Sequence, residues 1–162
     1  MLRALIFDWG GTVMTDTGEP GPMYLWKEVA LVPGVEEALL RLNGFVTCIA
    51  TNADVSDTDA MVKALKRVGA DGWFSHFFSS KDLGYMKPDP RFFLRICGEI
   101  GCLPEECVMI GNDYAKDICG GKEAGLKTVF FAPGGSGGHF PMADAVTGNL
   151  QELPAIVTSL EK

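Results

Sequence analysis

Apolar residues gather along this chain in short runs of strand length, at residues 4–7, 46–50, 73–78, 107–110 and 128–131, rather than in strict alternation. Such runs, bounded by turn residues, are the pattern of strands covered on both faces. Between them the spacing changes to that of helices. Val35, Ala38, Leu39 and Leu42 share one helical face, with Pro33 and Gly34 ahead of them and Gly44 placed to end the segment. A second helix, capped by Asp54 or Ser56, is expected to run to about Val68. A third follows Pro88 and Pro90 and carries Phe92, Phe93, Ile96 and Ile100. Residues 114–124 read as a fourth helix, residues 144–146 as a short sixth strand, and residues 150–160 as an amphipathic closing helix. Strands alternating with helices predict an α/β fold, a three-layer doubly wound (Rossmann-like) parallel sheet of five or six strands. At 162 residues, 1–162 reads as a single domain, with no internal repeat.

Composition narrows the partners. Asp and Glu number 21 against 14 Lys and Arg, a net charge of −7, which disfavours nucleic acid and anionic membrane surfaces. No apolar run approaches the span of a bilayer. A phosphorylated small molecule or a phosphoprotein is the partner class the chemistry below calls for, and self-association into a homo-oligomer is left open. Five cysteines, an odd number with no C-x-x-C pair and no leader segment ahead of Arg3, point to reduced thiols and a cytoplasmic setting. Cys102 and Cys107 flank a turn, but no histidine lies near them, so burial as small apolar side chains is the better reading than metal binding.

Ligands of open α/β sheets bind outside the carboxyl ends of the strands. Four polar stations fall at such places. Asp8 follows the first strand within Asp8-Trp9-Gly10-Gly11-Thr12, Thr51 and Asn52 follow the second, Lys87 lies beyond the third, and Asn112, Asp113 and Asp117 follow the fourth. Together they supply a carboxylate nucleophile, hydroxyl and amide donors, a fixed cation and an acidic metal site, the parts that phosphoryl transfer uses. Magnesium, with its preference for oxygen ligands, suits the acidic part. Taken singly, each station has an ordinary explanation as a turn cap or a solvated charge. Their order at successive strand ends favours one site. The glycine-rich stretch 134–138 lacks the spacing and lysine of a phosphate loop and reads as a flexible turn. His76 and His139 are assigned no role. Met23, Tyr24, Leu25 and Trp26 form an apolar cluster that suggests a short flap or helix beside the cleft, with ordinary packing as the simpler account.

The ordered set resembles the haloacid dehalogenase superfamily, largely magnesium-dependent phosphatases, over essentially the whole chain. The family's first motif, Asp-x-Asp-Gly-Thr, corresponds to Asp8 with Gly10, Gly11 and Thr12. The second, a Ser or Thr closing a strand, corresponds to Thr51; the third, a lysine, to Lys87; and the fourth, an acidic pair, to Asp113 with Asp117. The text around Gly84-Tyr85-Met86-Lys87-Pro88 and Ile110-Gly111-Asn112-Asp113 agrees. The resemblance implies a phosphatase acting through an aspartyl-phosphate intermediate, with catalytic Asp8, Thr51 and Lys87. It implies substrate binding by Gly11, Thr12, Thr51, Asn52 and Lys87, and magnesium on Asp8, the Gly10 carbonyl, Asp113 and Asp117. Asn112 also aligns with the metal-motif acid, but charge favours Asp113. Asp117, one helical turn on, is expected either to bind metal through water or to orient Lys87.

The chain departs from that pattern at Gly10, where family phosphatases carry the acid that protonates the leaving oxygen and later activates water. Losing such a group typically costs about two to four orders of magnitude in rate. A phosphatase of this sequence should therefore be slow unless another group substitutes, and Asp16 is the nearest candidate. The rival expectation is a catalytically impaired phosphate-binding or protein-interaction module. A phosphonatase-like hydrolase, resembled at Asp8-Trp9-Gly10-Gly11-Thr12, needs a helical cap that residues 13–33 are too few to build, so no cap domain is expected. A dehalogenase-like hydrolase would not need the metal carboxylates.

Overall fold

The computed structural model describes residues 1–53, 57–135 and 137–162. Six parallel strands, β1 (Ala4–Phe7), β2 (Val46–Thr51), β3 (His76–Ser79), β4 (Cys107–Gly111), β5 (Lys127–Phe131) and β6 (Ala145–Thr147), form one sheet in the order β3-β2-β1-β4-β5-β6. The helices are α1 (Val35–Arg41), α2 (Thr58–Arg67), α3 (Ser80–Leu83), α4 (Pro90–Ile100), α5 (Gly120–Glu123) and α6 (Leu153–Leu160). β1 is central, with Phe7 in register with Ile49 of β2 on one side and Ile110 of β4 on the other. From β1 the chain moves outward through β2 and β3, then crosses back to lay down β4 and continues the other way. The reversal leaves a crevice at the carboxyl ends of β1 and β4, where open α/β sheets bind their ligands.

Alternation along β1 sets the two layers. Leu5 and Phe7 pack with Val35 and Leu39 of α1, Met61 and Leu65 of α2, and Leu153 and Val157 of α6. Ala4 and Ile6 face the opposite layer, built on Phe92, Phe93 and Ile96 of α4. Burial on both faces explains why these strands read as apolar runs. The five cysteines are free, four of them buried, Cys102 and Cys107 included. Burial, reinforced by Cys102 and Cys97, pushes the Cys48 thiol up to about 12. No helix among the described residues is long and apolar enough to cross a membrane.

Three expectations shift. The third strand begins at His76 rather than Trp73, because Trp73 closes a 3-10 turn (Asp71–Trp73) whose last carbonyl accepts the Thr47 hydroxyl at 2.6 Å. Residues 74–75 then bring the chain alongside β2, where pairing starts at Cys48 and His76. The fourth helix opens as a π-helix (Tyr114–Cys119) before α5. The closing helix begins with a 3-10 turn (Leu150–Glu152). Asp54 and Ser56 lie outside the described residues; the cap present is Asp57, whose carboxylate accepts the Ala60 N–H at 2.9 Å.

Candidate active site

Lys87 enters the interior between two carboxylates. Its ammonium donates to Asp8 Oδ1 at 2.8 Å, to Asp117 Oδ1 at 2.6 Å and to the Ala50 carbonyl at 3.0 Å. Side-chain exposure is 3% for Lys87, 1% for Asp117 and 13% for Asp8, so the nucleophile candidate is the most exposed of the three. A lysine is seldom buried unless paired. Burial alone would pull the Lys87 ammonium down, but Asp8 and Asp117 outweigh it and hold it above the ordinary lysine range. Burial pushes the Asp117 carboxyl up to about 6, with Lys87 opposing the rise and Asp8 adding to it.

The chain that carries Lys87 is pinned by Asn52. The Asn52 amide donates to the Lys87 carbonyl at 2.9 Å, and its oxygen accepts the Lys87 N–H at 2.8 Å. The end of β2 thus grips the segment from β3 to α4 through both halves of one side chain. After β4, Gly111 matters for space, since a Cβ there would run into the Asp117 carboxylate. Asp117 Oδ2 accepts the Asp113 N–H at 3.1 Å. Asp113 Oδ1 caps the π-helix by accepting the Lys116 N–H at 2.9 Å. π-Turns of this kind recur at functional sites.

A cleft of about 590 Å³ lies over this chain, lined by Asp8, Gly10, Thr51, Asn52, Lys87, Asn112, Asp113, Lys116 and Asp117, among others. Its other wall is residues 16–26, with Asp16, Glu19, Met23 and Trp26 facing inward. That wall is anchored: the Trp26 indole N–H donates to the Gly21 carbonyl at 3.0 Å, and Arg67 of α2 donates to the carbonyls of Tyr24, Trp26 and Lys27. Met23 and Trp26 are buried while Leu25 is 68% exposed, so the apolar cluster of the sequence is mainly packing that also shapes the cleft. The glycines of 134–138 take no part in the cleft's lining.

A model of the haloacid dehalogenase-like hydrolase family matches residues 21–125. The chain belongs to that family. The chain is 37% identical over 105 residues to glyceraldehyde 3-phosphate phosphatase of Pyrococcus furiosus, covering 64% of this chain and 42% of that one. It is likewise 37% identical over 148 residues to N-acylneuraminate-9-phosphatase of Rattus norvegicus, covering 85% of this chain and 58% of the relative. The chain thus spans about half the length of these curated relatives. An uncharacterized protein from Listeria monocytogenes serotype 4b has the same fold, with a TM-score of 0.86 at 24% identity over 99% of both chains. Among the described residues the fold is this one Rossmann-like unit, with no cap domain.

Of the residues singled out in the sequence, Asp8, Gly10, Thr51, Asn52, Lys87, Asp113 and Asp117 share the cleft. Gly11 and Thr12, expected at the substrate, lie behind it. The Gly11 N–H is spent on the Met14 carbonyl at 2.7 Å, and Thr12 is fully buried with its hydroxyl donating to Asn112 Oδ1 at 3.3 Å. That bond engages the Asn112 oxygen, as the Lys116 N–H engages Asp113 Oδ1. The two Asp117 oxygens accept from the Lys87 ammonium and the Asp113 N–H, contacts that suit the expected alternative of orienting Lys87. Asn52 likewise spends its amide on the Lys87 backbone. Among the described residues no three His, Cys, Asp or Glu side chains converge tightly enough to enclose an ion by themselves. Yet the lining holds five carboxylates (Asp8, Asp16, Glu19, Asp113, Asp117) against two ammonium groups (Lys87, Lys116), a hard-oxygen donor set that fits magnesium, an ion that keeps several waters. Glu19 and Lys116 had no motif to announce their part in the cleft, whereas the Met23–Trp26 cluster was expected beside it.

Proposed function

We propose that this hydrolase is a magnesium-dependent phosphatase of small phosphorylated compounds, with Asp8 as the nucleophile. The observation that carries the reading is the buried chain Asp8–Lys87–Asp117 at the mouth of the β1/β4 crevice. Asp117 keeps the Lys87 ammonium in place, and Lys87 in turn fixes one Asp8 oxygen, leaving the other to attack a phosphoryl group. Thr51, at the end of β2, and Lys87 would hold the transferring oxygens. Phosphoryl transfer depends chiefly on such positioning and charge neutralisation. Asp8 and Asp113 are the carboxylates offered to magnesium, which when bound neutralises charge on the transferring group. The relatives named as phosphatases of phosphorylated small molecules support that substrate class.

The test is phosphate release from a panel of phosphate esters and acyl phosphates, with and without magnesium. Wild type should release phosphate only with the metal, and Asp8→Asn should lose essentially all of it. One observation favours a second reading, a binding module without turnover: Gly10 carries no acid. A wild type inert on the whole panel that still binds magnesium and orthovanadate would establish that reading instead.

A further inference from the structure

Glycine at position 10 is not required by the backbone. Gly11 beside it has φ +80°, in the left-handed region, whereas Gly10 is absent from the glycines of positive φ. What the missing side chain leaves is space, and Asp16 stands in it. A Cβ built on Gly10 would meet Asp16 Oδ2 at 3.1 Å, and the next two atoms, at 3.6 and 3.7 Å, also belong to Asp16. Asp16 is held there from both sides. Before it, the Thr15 N–H donates to the Ala30 carbonyl at 2.9 Å, and Met14 bridges to both Gly10 and Leu31. After it, the Gly18 N–H donates to Asp16 Oδ1 at 2.9 Å. That bond orients the carboxyl and leaves Oδ2, which has no hydrogen-bond partner among the described residues, on the Gly10 side of the cleft that Asp8 lines. The residue is exposed.

Resting on the phosphatase reading above, we propose that Asp16 is the catalytic acid and base of this site, its carboxyl occupying the space that an acidic side chain at position 10 would fill. In the first step an Asp8 oxygen forms a bond to phosphorus while the ester P–O bond breaks, and the protonated Asp16 gives its proton to the departing oxygen, releasing an alcohol. In the second, the Asp16 carboxylate takes a proton from water as the water oxygen bonds to phosphorus. The Asp8 O–P bond then breaks, freeing phosphate and restoring Asp8. One ester and one water give one alcohol and one phosphate, with Asp16 again protonated.

The experiment compares Asp16→Asn with wild type on an alkyl phosphate, whose leaving oxygen needs a proton, and on 4-nitrophenyl phosphate, whose leaving oxygen needs it far less. Asparagine keeps the acceptor for Gly18 and removes only the proton chemistry. The expected result is a fall of about 10²- to 10³-fold in kcat/KM for the alkyl phosphate and less than about fivefold for the nitrophenyl ester. Because the second step still lacks its base, the variant should show a burst of about one nitrophenolate per enzyme followed by slow turnover. The pair Asp16→Ala with Gly10→Asp, which rebuilds an acid from the other side of the same space, should recover at least about tenfold over Asp16→Ala alone. Equal losses on both substrates, no loss, or no burst, with Asp8→Asn still inactive, would overturn the assignment of Asp16 alone. Activity surviving Asp8→Asn, or a wild type inert on both esters, would overturn the phosphatase reading and this assignment with it.

Discussion

Lys87 illustrates how a charge is kept inside a protein. Its stem crosses the layer next to Phe92, and its ammonium ends among Asp8, Asp117 and the Ala50 carbonyl. Stripping one partner from such a buried group is costly, about 3–5 kcal/mol in comparable cases. The arrangement therefore depends on a neighbour with no side chain. Gly111 closes β4 against the Asp117 carboxylate, and any Cβ there must push that carboxylate away from Lys87. Gly111→Ala should lower stability by about 1–3 kcal/mol, read by thermal or urea unfolding. It should also cut phosphatase turnover, because Asp8 loses the cation that fixes it. A variant as stable and as active as wild type would show that Asp117 does not hold the site.

At the scale of elements, the edge strand β6 depends on one side chain. Asp144, immediately before it, accepts from Lys122 Nζ at 2.6 Å and from the Thr128 N–H at 2.9 Å, tying the approach to β6 to β5. Burial raises its carboxyl, but the Lys122 and Thr128 bonds prevail and hold it below the ordinary aspartate value. A carboxyl depressed in the folded state contributes stability above its unfolded pKa and loses it as pH falls through the folded one. Asp144→Asn should therefore cost about 1–2 kcal/mol near pH 7. That gap should close as wild type is acidified below about pH 4, and a gap unchanged with pH would contradict the account. The elements also show where sequence reading reaches its limit. β1, β2, β4 and β5 were legible as apolar runs because both faces are covered. β3 was displaced because Trp73 is apolar yet sits in a turn whose carbonyl Thr47 takes, a contact across 26 residues that no local pattern carries. The π-helix after β4 was likewise hidden, since Tyr114–Cys119 has an ordinary helical composition and the wider turn shows only in backbone bonds such as Gly120 N–H to the Ala115 carbonyl.

For the whole molecule, the convergence of Asp8, Thr51, Lys87 and Asp113 was readable from their order at strand ends, since doubly wound topology brings those ends to one crevice. Their division of labour was not. That Asn52 holds the Lys87 backbone, that Thr12 turns inward to Asn112, and that Glu19 and Lys116 join the lining are all set by three-dimensional contacts. A molecule of net charge −7, with five carboxylates around the cleft, repels a phosphate dianion. Chelating divalent ions should thus weaken binding of orthovanadate at least about tenfold, measured by calorimetry, and magnesium should restore it. Undiminished binding after chelation would mean that Lys87 and Lys116 suffice. The central claim, a single phosphoryl site built by Asp8, Thr51, Lys87 and Asp113, is tested most directly by a crystal structure grown with magnesium and trifluoroberyllate, a mimic of a phosphorylated carboxylate. The account predicts the mimic attached to Asp8, bonded by Lys87 and Thr51, with the ion between Asp8 and Asp113. A mimic bound elsewhere, or an Asp8 left bare at saturating concentrations, would contradict it.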